Sequence, residues 1–200
     1  MPVFTELLDV RRSILLVIDL QGKLIEMAYR SQLVVESTVR LLHLADMFAV
    51  PVLLTEQYPK GLGPTHPLVL ETFNALETPH RYFDKLEFGC CGDAQFEPVL
   101  AELLPGVEPA RRQVVIAGIE THVCVMQTVL PLLAAGSAVH LCWEAVSGRG
   151  EEYRKWAFKR MLQAGAVVTN HESVGFEWAR TKEHPRFKDM SNLFKAGQLS

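Results

Sequence analysis

The chain has 200 residues, 48% hydrophobic and 22% charged, with a formal net charge of −3. Uniform composition over that length predicts one domain across residues 1–200, large enough to bury roughly 70% of its unfolded surface. The charge balance argues against nucleic acid or an anionic membrane as partner, and no apolar run reaches the 18 or more residues of a membrane span.

The opening MPVFTELLDVRRS lacks the basic segment and apolar stretch of a secretory leader. The first apolar run, ILLVID (14–19), is continuous rather than alternating, as in a strand buried on both faces. Residues 31–49 place Val34, Thr38, Leu41, Ala45 and Phe48 on one helical face. VPVLLT (50–55) is the next strand. EQYPKGLGPTHP (56–67), with three Pro and two Gly, reads as a loop at its carboxyl end. HRYFDK (80–85) is a less apolar strand candidate, followed by a helix near 92–104 and the strand QVVIAG (113–118). A helix over 122–135 contains Pro131, which predicts a kink or a new turn. SAVHLC (137–142), a helix over 151–164, GAVVT (165–169) and a helix over 186–196 complete the chain. Gly136 and Gly165 stand where helices should stop. The alternation predicts an α/β fold, a three-layer Rossmann-like parallel sheet flanked by helices on both faces. Function is then expected at the carboxyl edge of the sheet.

Three reactive side chains fall at predicted strand ends. Asp19 ends ILLVI, Lys85 follows RYFD, and Cys124 lies six residues after Gly118 in the first turn of a helix. Separately, each has an ordinary reading as a turn former, a solvated charge or a small buried hydrophobe. Together they are coherent chemistry. A thiol at a helix N-terminus is expected to favour its thiolate, a nearby lysine adds to that, and a carboxylate can move the proton. The four cysteines, Cys90, Cys91, Cys124 and Cys142, include an adjacent pair, and without a leader they read as reduced cytoplasmic thiols. Cys90 and Cys91 read as small buried residues, with a redox role as the alternative.

At this point the sequence resembles the isochorismatase-like cysteine hydrolases, in the branch of small isochorismatase-domain proteins. VIDLQ (17–21), TEQYPKGLGPT (55–65), KLEFGC (85–90), GIETHVCV (118–125), EAVSGR (144–149) and HPRFKDMSNLFK (184–195) carry the resemblance. It implies a triad of Asp19 as acid/base, Lys85 and nucleophilic Cys124. It also implies a cis peptide between Ile119 and Glu120, with the N–H groups of Glu120 and Cys124 as oxyanion hole. Gln21, Tyr58, Leu62, Phe88 and His122 are candidate pocket residues. Gln21 has helix capping as its alternative, and His122 points about 200° from Cys124 on a helix. Metal-dependent nicotinamidases of the superfamily carry an Asp-x-His after the second strand. Glu56, Gln57 and Tyr58 stand there instead, so no metal is expected, and no phosphate motif suggests a cofactor.

The expected function is hydrolysis of a small amide or related C–N bond through a thioester. The alternatives are a vinyl-ether (isochorismate-like) hydrolase and a non-catalytic binding or scaffold protein retaining the fold. The expected partners are a small-molecule substrate and further copies of the chain in a homo-oligomer.

Overall fold

The computed structural model describes residues 5–196. The expected domain over 1–200 extends four residues beyond these at each end. Six strands form one parallel sheet: β1 (Ser13–Ile18), β2 (Val52–Gln57), β3 (His80–Lys85), β4 (Gln113–Gly118), β5 (Ala138–Val146) and β6 (Val167–Thr169). Their spatial order is β3-β2-β1-β4-β5-β6. The order reverses between β1 and β4, and that switch point is where an open α/β sheet leaves a crevice beyond its strand ends.

Alternate residues of the central strands feed two cores. Leu15 and Val17 of β1 and Val115 and Ala117 of β4 face one side. There they meet α2 (Ser31–Met47), α4 (Pro67–Asn74), α8 (His171–Ala179) and α9 (Phe187–Lys195). Ile14, Leu16 and Ile18, with Val114 and Ile116, face α5 (Phe96–Leu103), α6 (Met126–Ala134) and α7 (Glu151–Gln163). Both faces of the sheet are covered, which explains the continuous apolar runs. Among the described residues no helix is long and apolar enough to cross a membrane.

Several boundaries differ from the sequence expectation. β2 continues through Glu56 and Gln57, and Pro59–Leu62 forms a short helix, α3, so 56–67 is not all loop. β5 runs four residues past Cys142, with a register shift against β4 between Ile116 and Gly118. The helix expected from 122 begins as a π-helical turn, Thr121–Val125, before α6. The first part of 92–104 is instead a 3-10 turn over Cys90–Gly92 and a bend. A short α1 (Gly22–Glu26), α4 and α8 were not foreseen. In α8, Asn170 caps the helix by accepting from the Ser173 N–H at 2.8 Å. Gly175 in mid-helix lowers its propensity, but a Cβ there would lie 2.8 Å from the Phe194 ring.

Pro131 does not end its helix; α6 runs on to Ala134. Proline supplies no N–H to the Gln127 carbonyl four residues back. Gly89 packs over that oxygen, where a Cβ would lie only 2.5 Å away.

Candidate active site

Asp19, Lys85 and Cys124 come from three separate strand ends and meet beside the switch point. Asp19 is the first residue past β1, with φ of 52°, a left-handed conformation that Asp tolerates better than most L-residues. Its N–H still donates to the Thr55 carbonyl of β2 at 3.1 Å, which fixes the turn. The carboxylate is 1% exposed. Its Oδ1 accepts from Thr55 Oγ1 at 2.8 Å and its Oδ2 from Lys85 Nζ at 2.6 Å. Lys85 ends β3 opposite Gln57 and reaches past the end of β2 to Asp19. Its Nζ also donates to Gln57 Oε1 at 3.0 Å and to the carbonyls of Phe88 at 3.0 Å and Glu87 at 3.3 Å. A lysine only 2% exposed thus has four acceptors, which offset the cost of removing it from water.

Cys124 enters from the other side. β4 and β1 approach closely at Gly118, where a Cβ would sit 2.2 Å from the Ile18 carbonyl oxygen. The chain then turns through Ile119 and Glu120, whose peptide bond is cis. Cys124 follows in the π-helical turn, 7% exposed. Thr128 Oγ1 donates to the Cys124 carbonyl at 2.7 Å and accepts from the Cys90 N–H at 2.9 Å, stitching the segment after β3 to α6 and the Cys124 turn.

Burial pushes the Cys124 thiol well above the ordinary range. The negative charge of Asp19 raises it further, Lys85 pulls it back, and a hydrogen bond to Asp19 also favours the protonated form. This corrects the expectation of a thiolate favoured by the helix N-terminus. The partial charge of a helix end acts within about one turn, and here desolvation and a full carboxylate charge outweigh it. Burial likewise pushes Cys90 up to about 11.

Glu120 is held from outside. Arg149 Nε donates to its Oε1 at 2.8 Å, and Nη2 to its Oε2 at 2.6 Å. This fork holds the Glu120 carboxyl below its usual range. Thr121 N–H donates to the Ser147 carbonyl at 2.8 Å, and Tyr29 N–H to the Gly148 carbonyl at 2.8 Å. The loops after α1, β4 and β5 are therefore joined at one point.

The five candidate pocket residues divide. Tyr58 and Phe88 are exposed, and Leu62, the last residue of α3, is half-buried. Gln21 is a correction. Its Oε1 accepts from Gln57 N–H at 2.6 Å, and its Nε2 donates to the Gln57 and Gly63 carbonyls at 3.2 and 2.7 Å. Both ends of that buried amide are occupied by backbone, so it ties β2 to α3; it neither faces a ligand nor caps α1 through its side chain. His122 stacks on Tyr153 of α7 with ring centroids 4.9 Å apart, and lines a groove there with Met126 and Trp156. Among the described residues no group of three or more His, Cys, Asp or Glu side chains is arranged to hold a metal ion.

The isochorismatase domain model matches residues 13–173. The chain belongs to that family. Isochorismatase domain-containing protein 1 of Salmo salar is 41% identical over 157 residues, covering 78% of this chain and 52% of that protein. The chain thus spans about half the length of that relative. Isochorismatase domain-containing protein 2 of Bos taurus is 32% identical over 189 residues, 92% of this chain and 83% of that protein. The solved structure of MAR1 ribonuclease from Caenorhabditis elegans superposes with a TM-score of 0.85 at 33% identity, covering 98% of this chain and 95% of that one.

Within this isochorismatase domain, sequence reasoning missed Thr55 and Gln57, which hold Asp19 and Lys85, and Arg149, which holds Glu120. The signal for the first two was a polar Thr-Glu-Gln run continuing an apolar strand. Arg149 lay inside a recognised motif, but nothing in its spacing pointed to Glu120.

Proposed function

We propose that this isochorismatase-family protein is a cysteine hydrolase of a small amide or related C–N bond. The observation that carries the reading is the Asp19 carboxylate. It is buried between Lys85 and Thr55, and burial together with its negative charge keeps the Cys124 thiol protonated. A protonated nucleophile beside a fixed base is the arrangement general-base catalysis needs.

Asp19 takes the thiol proton as Cys124 sulfur attacks the substrate carbonyl carbon. The N–H groups of Glu120 and Cys124 stabilise the resulting oxyanion. Support for the first comes from Glu120, whose N–H donates to no backbone acceptor among the described residues. The tetrahedral species collapses, the C–N bond breaks, and protonated Asp19 gives its proton to the departing amine. Water, deprotonated by Asp19, then attacks the thioester carbonyl. The acid leaves, and the proton returns to Cys124. Lys85 keeps the carboxylate oriented and offsets its charge as sulfur becomes negative.

Cleavage of a polyanion, which the name of the C. elegans protein suggests, finds less support here. Lys85, the cation that acts on the thiol, and Arg149 are already engaged by Asp19 and Glu120. Incubating the protein with a panel of carboxamides and trapping by intact mass tests the proposal. A covalent acyl adduct on Cys124, absent in Cys124→Ser, is expected. Turnover retained in Cys124→Ser would refute it.

A further inference from the structure

The mechanism above leaves the fork between Glu120 and Arg149 without a task. Arg149 commits its backbone to it as well as its guanidinium. The N–H and Nε donate to Glu120 Oε1 at 3.2 and 2.8 Å, and Nη2 donates to Oε2 at 2.6 Å. The Glu120 side chain is 11% exposed and that of Arg149 60%. A solvated surface pair leaves both ends in water and holds little. Here a carboxylate largely out of water receives a planar, two-pronged donor, which fixes direction as well as distance.

What the fork fixes is the backbone of the Cys124 turn. The Glu120 carbonyl accepts from the N–H groups of Val123 at 2.9 Å and Val125 at 3.3 Å, the residues on either side of Cys124. The neighbouring Thr121 N–H donates to the Ser147 carbonyl, and the Ser147 N–H donates back to the Gly118 carbonyl at 3.3 Å. Residues 118–121 and 147–149 are thus tied by backbone bonds at Ser147 and by the fork at Arg149. Between these ties the Glu120 N–H donates to no backbone acceptor among the described residues. A donor serves a reacting atom only when it is held within about 0.5 Å and 10–20° of the productive direction, and that hold comes from the groups behind it.

Resting on the hydrolase reading above, we infer that Arg149 is a positioning residue for the oxyanion hole, keeping the Glu120 N–H directed at the substrate carbonyl oxygen through its fork to the Glu120 carboxylate. Arg149 then assists the steps that build negative charge on oxygen. It contributes little to the reactivity of sulfur, which burial, Asp19 and Lys85 govern.

The test compares two reactions of one thiol. 4-Nitrophenyl acetate acetylates Cys124 through a tetrahedral oxyanion, whereas iodoacetamide alkylates it by displacement at a saturated carbon, where no oxyanion forms. Both probes are uncharged, so the guanidinium has no substrate charge to attract. Acetylation is read as 4-nitrophenolate release, corrected with Cys124→Ser protein, and alkylation by peptide mass spectrometry. In Arg149→Met, acetylation is expected to fall about 10- to 100-fold, short of the loss when an oxyanion donor is deleted outright. Alkylation should stay near the parent rate. Glu120→Ala should behave alike, and the double variant should lose no more than the worse single one, since both changes open the same contact. Acetylation unchanged in Arg149→Met overturns the inference. So does a change of both reactions by the same factor, which would make the fork merely structural. Losses that multiply in the double variant would mean that Arg149 acts without Glu120, and also overturn it. A parent protein alkylated at Cys124 but never acetylated would sink the hydrolase reading itself, a result seen before any variant is made.

Discussion

Lys85 at the end of β3 and His140 in the middle of β5 are both buried titratable side chains on one sheet, in unlike surroundings. Lys85 Nζ has two side-chain and two carbonyl acceptors. Neither ring nitrogen of His140 has a hydrogen-bond partner among the described residues, and burial pushes its imidazole down to about 4. Burial alone thus drives a group to its neutral form and leaves it inert. Burial within a ring of acceptors, at the edge where the sheet opens, maintains an ion pair that chemistry can use.

The largest way to break the comparison is to remove one partner of the ion pair. Lys85→Met strands the Asp19 carboxylate in the interior, and a loss of about 3–5 kcal/mol is expected in urea unfolding, together with loss of turnover. Adding Asp19→Asn should restore much of the stability and none of the activity. A Lys85→Met protein as stable as the parent would mean that the pair is solvated.

His140 offers a smaller effect that depends on pH. Its folded pKa lies below the ordinary 6.5, so as pH falls through 6.5 the unfolded chain takes up a proton that the folded one refuses. The folded state should lose about 3 kcal/mol between pH 6.5 and 4, with little further loss from this group below that. His140→Leu should remove that share of the slope, measured by urea unfolding at pH 7, 5 and 4. An identical slope in the variant would place the uptake elsewhere.

Smaller still is Gly89→Ala. A Cβ 2.5 Å from the Gln127 carbonyl forces the 86–92 segment off α6. The segment carries the Glu87 and Phe88 carbonyls that hold Lys85. A loss of about 1–3 kcal/mol from overpacking is expected in urea unfolding, with slower Cys124 chemistry. A Gly89→Ser control should behave alike, whereas Gly92→Ala, whose Cβ would meet only the flexible Glu87 side chain, should be nearly silent.

The sheet was legible because five apolar runs alternate with helical ones, and β3, the less apolar sixth, was recovered over its full length despite only Phe83 and Lys85 being buried in it. The short helices α1, α3, α4 and α8 were not. Each spans nine residues or fewer, too short to show a clear helical period, and α8 has a glycine in its interior. The triad residues stood out as reactive types at strand ends, but their partners did not. Thr55 and Gln57 are ordinary polar residues whose role appears only when β2 is placed between β1 and β3. The direction of the Cys124 shift was also beyond sequence reasoning. It depends on how deeply the thiol lies and how near Asp19 is, and neither follows from spacing.

The most direct test of the central claim is the pH dependence of Cys124 alkylation by iodoacetamide, compared between the parent protein and Asp19→Asn. In the parent, burial and the Asp19 charge hold the thiol up, so the rate should still be climbing above the pH of about 8.5 where a free thiol is half ionised. Asp19→Asn removes the opposing charge and leaves Lys85 to favour sulfur, so the profile should move to lower pH while amide turnover disappears. A parent thiol that titrates below 8.5, with a profile unmoved in Asp19→Asn, would contradict the account of Asp19 as the base holding the proton of a resting thiol.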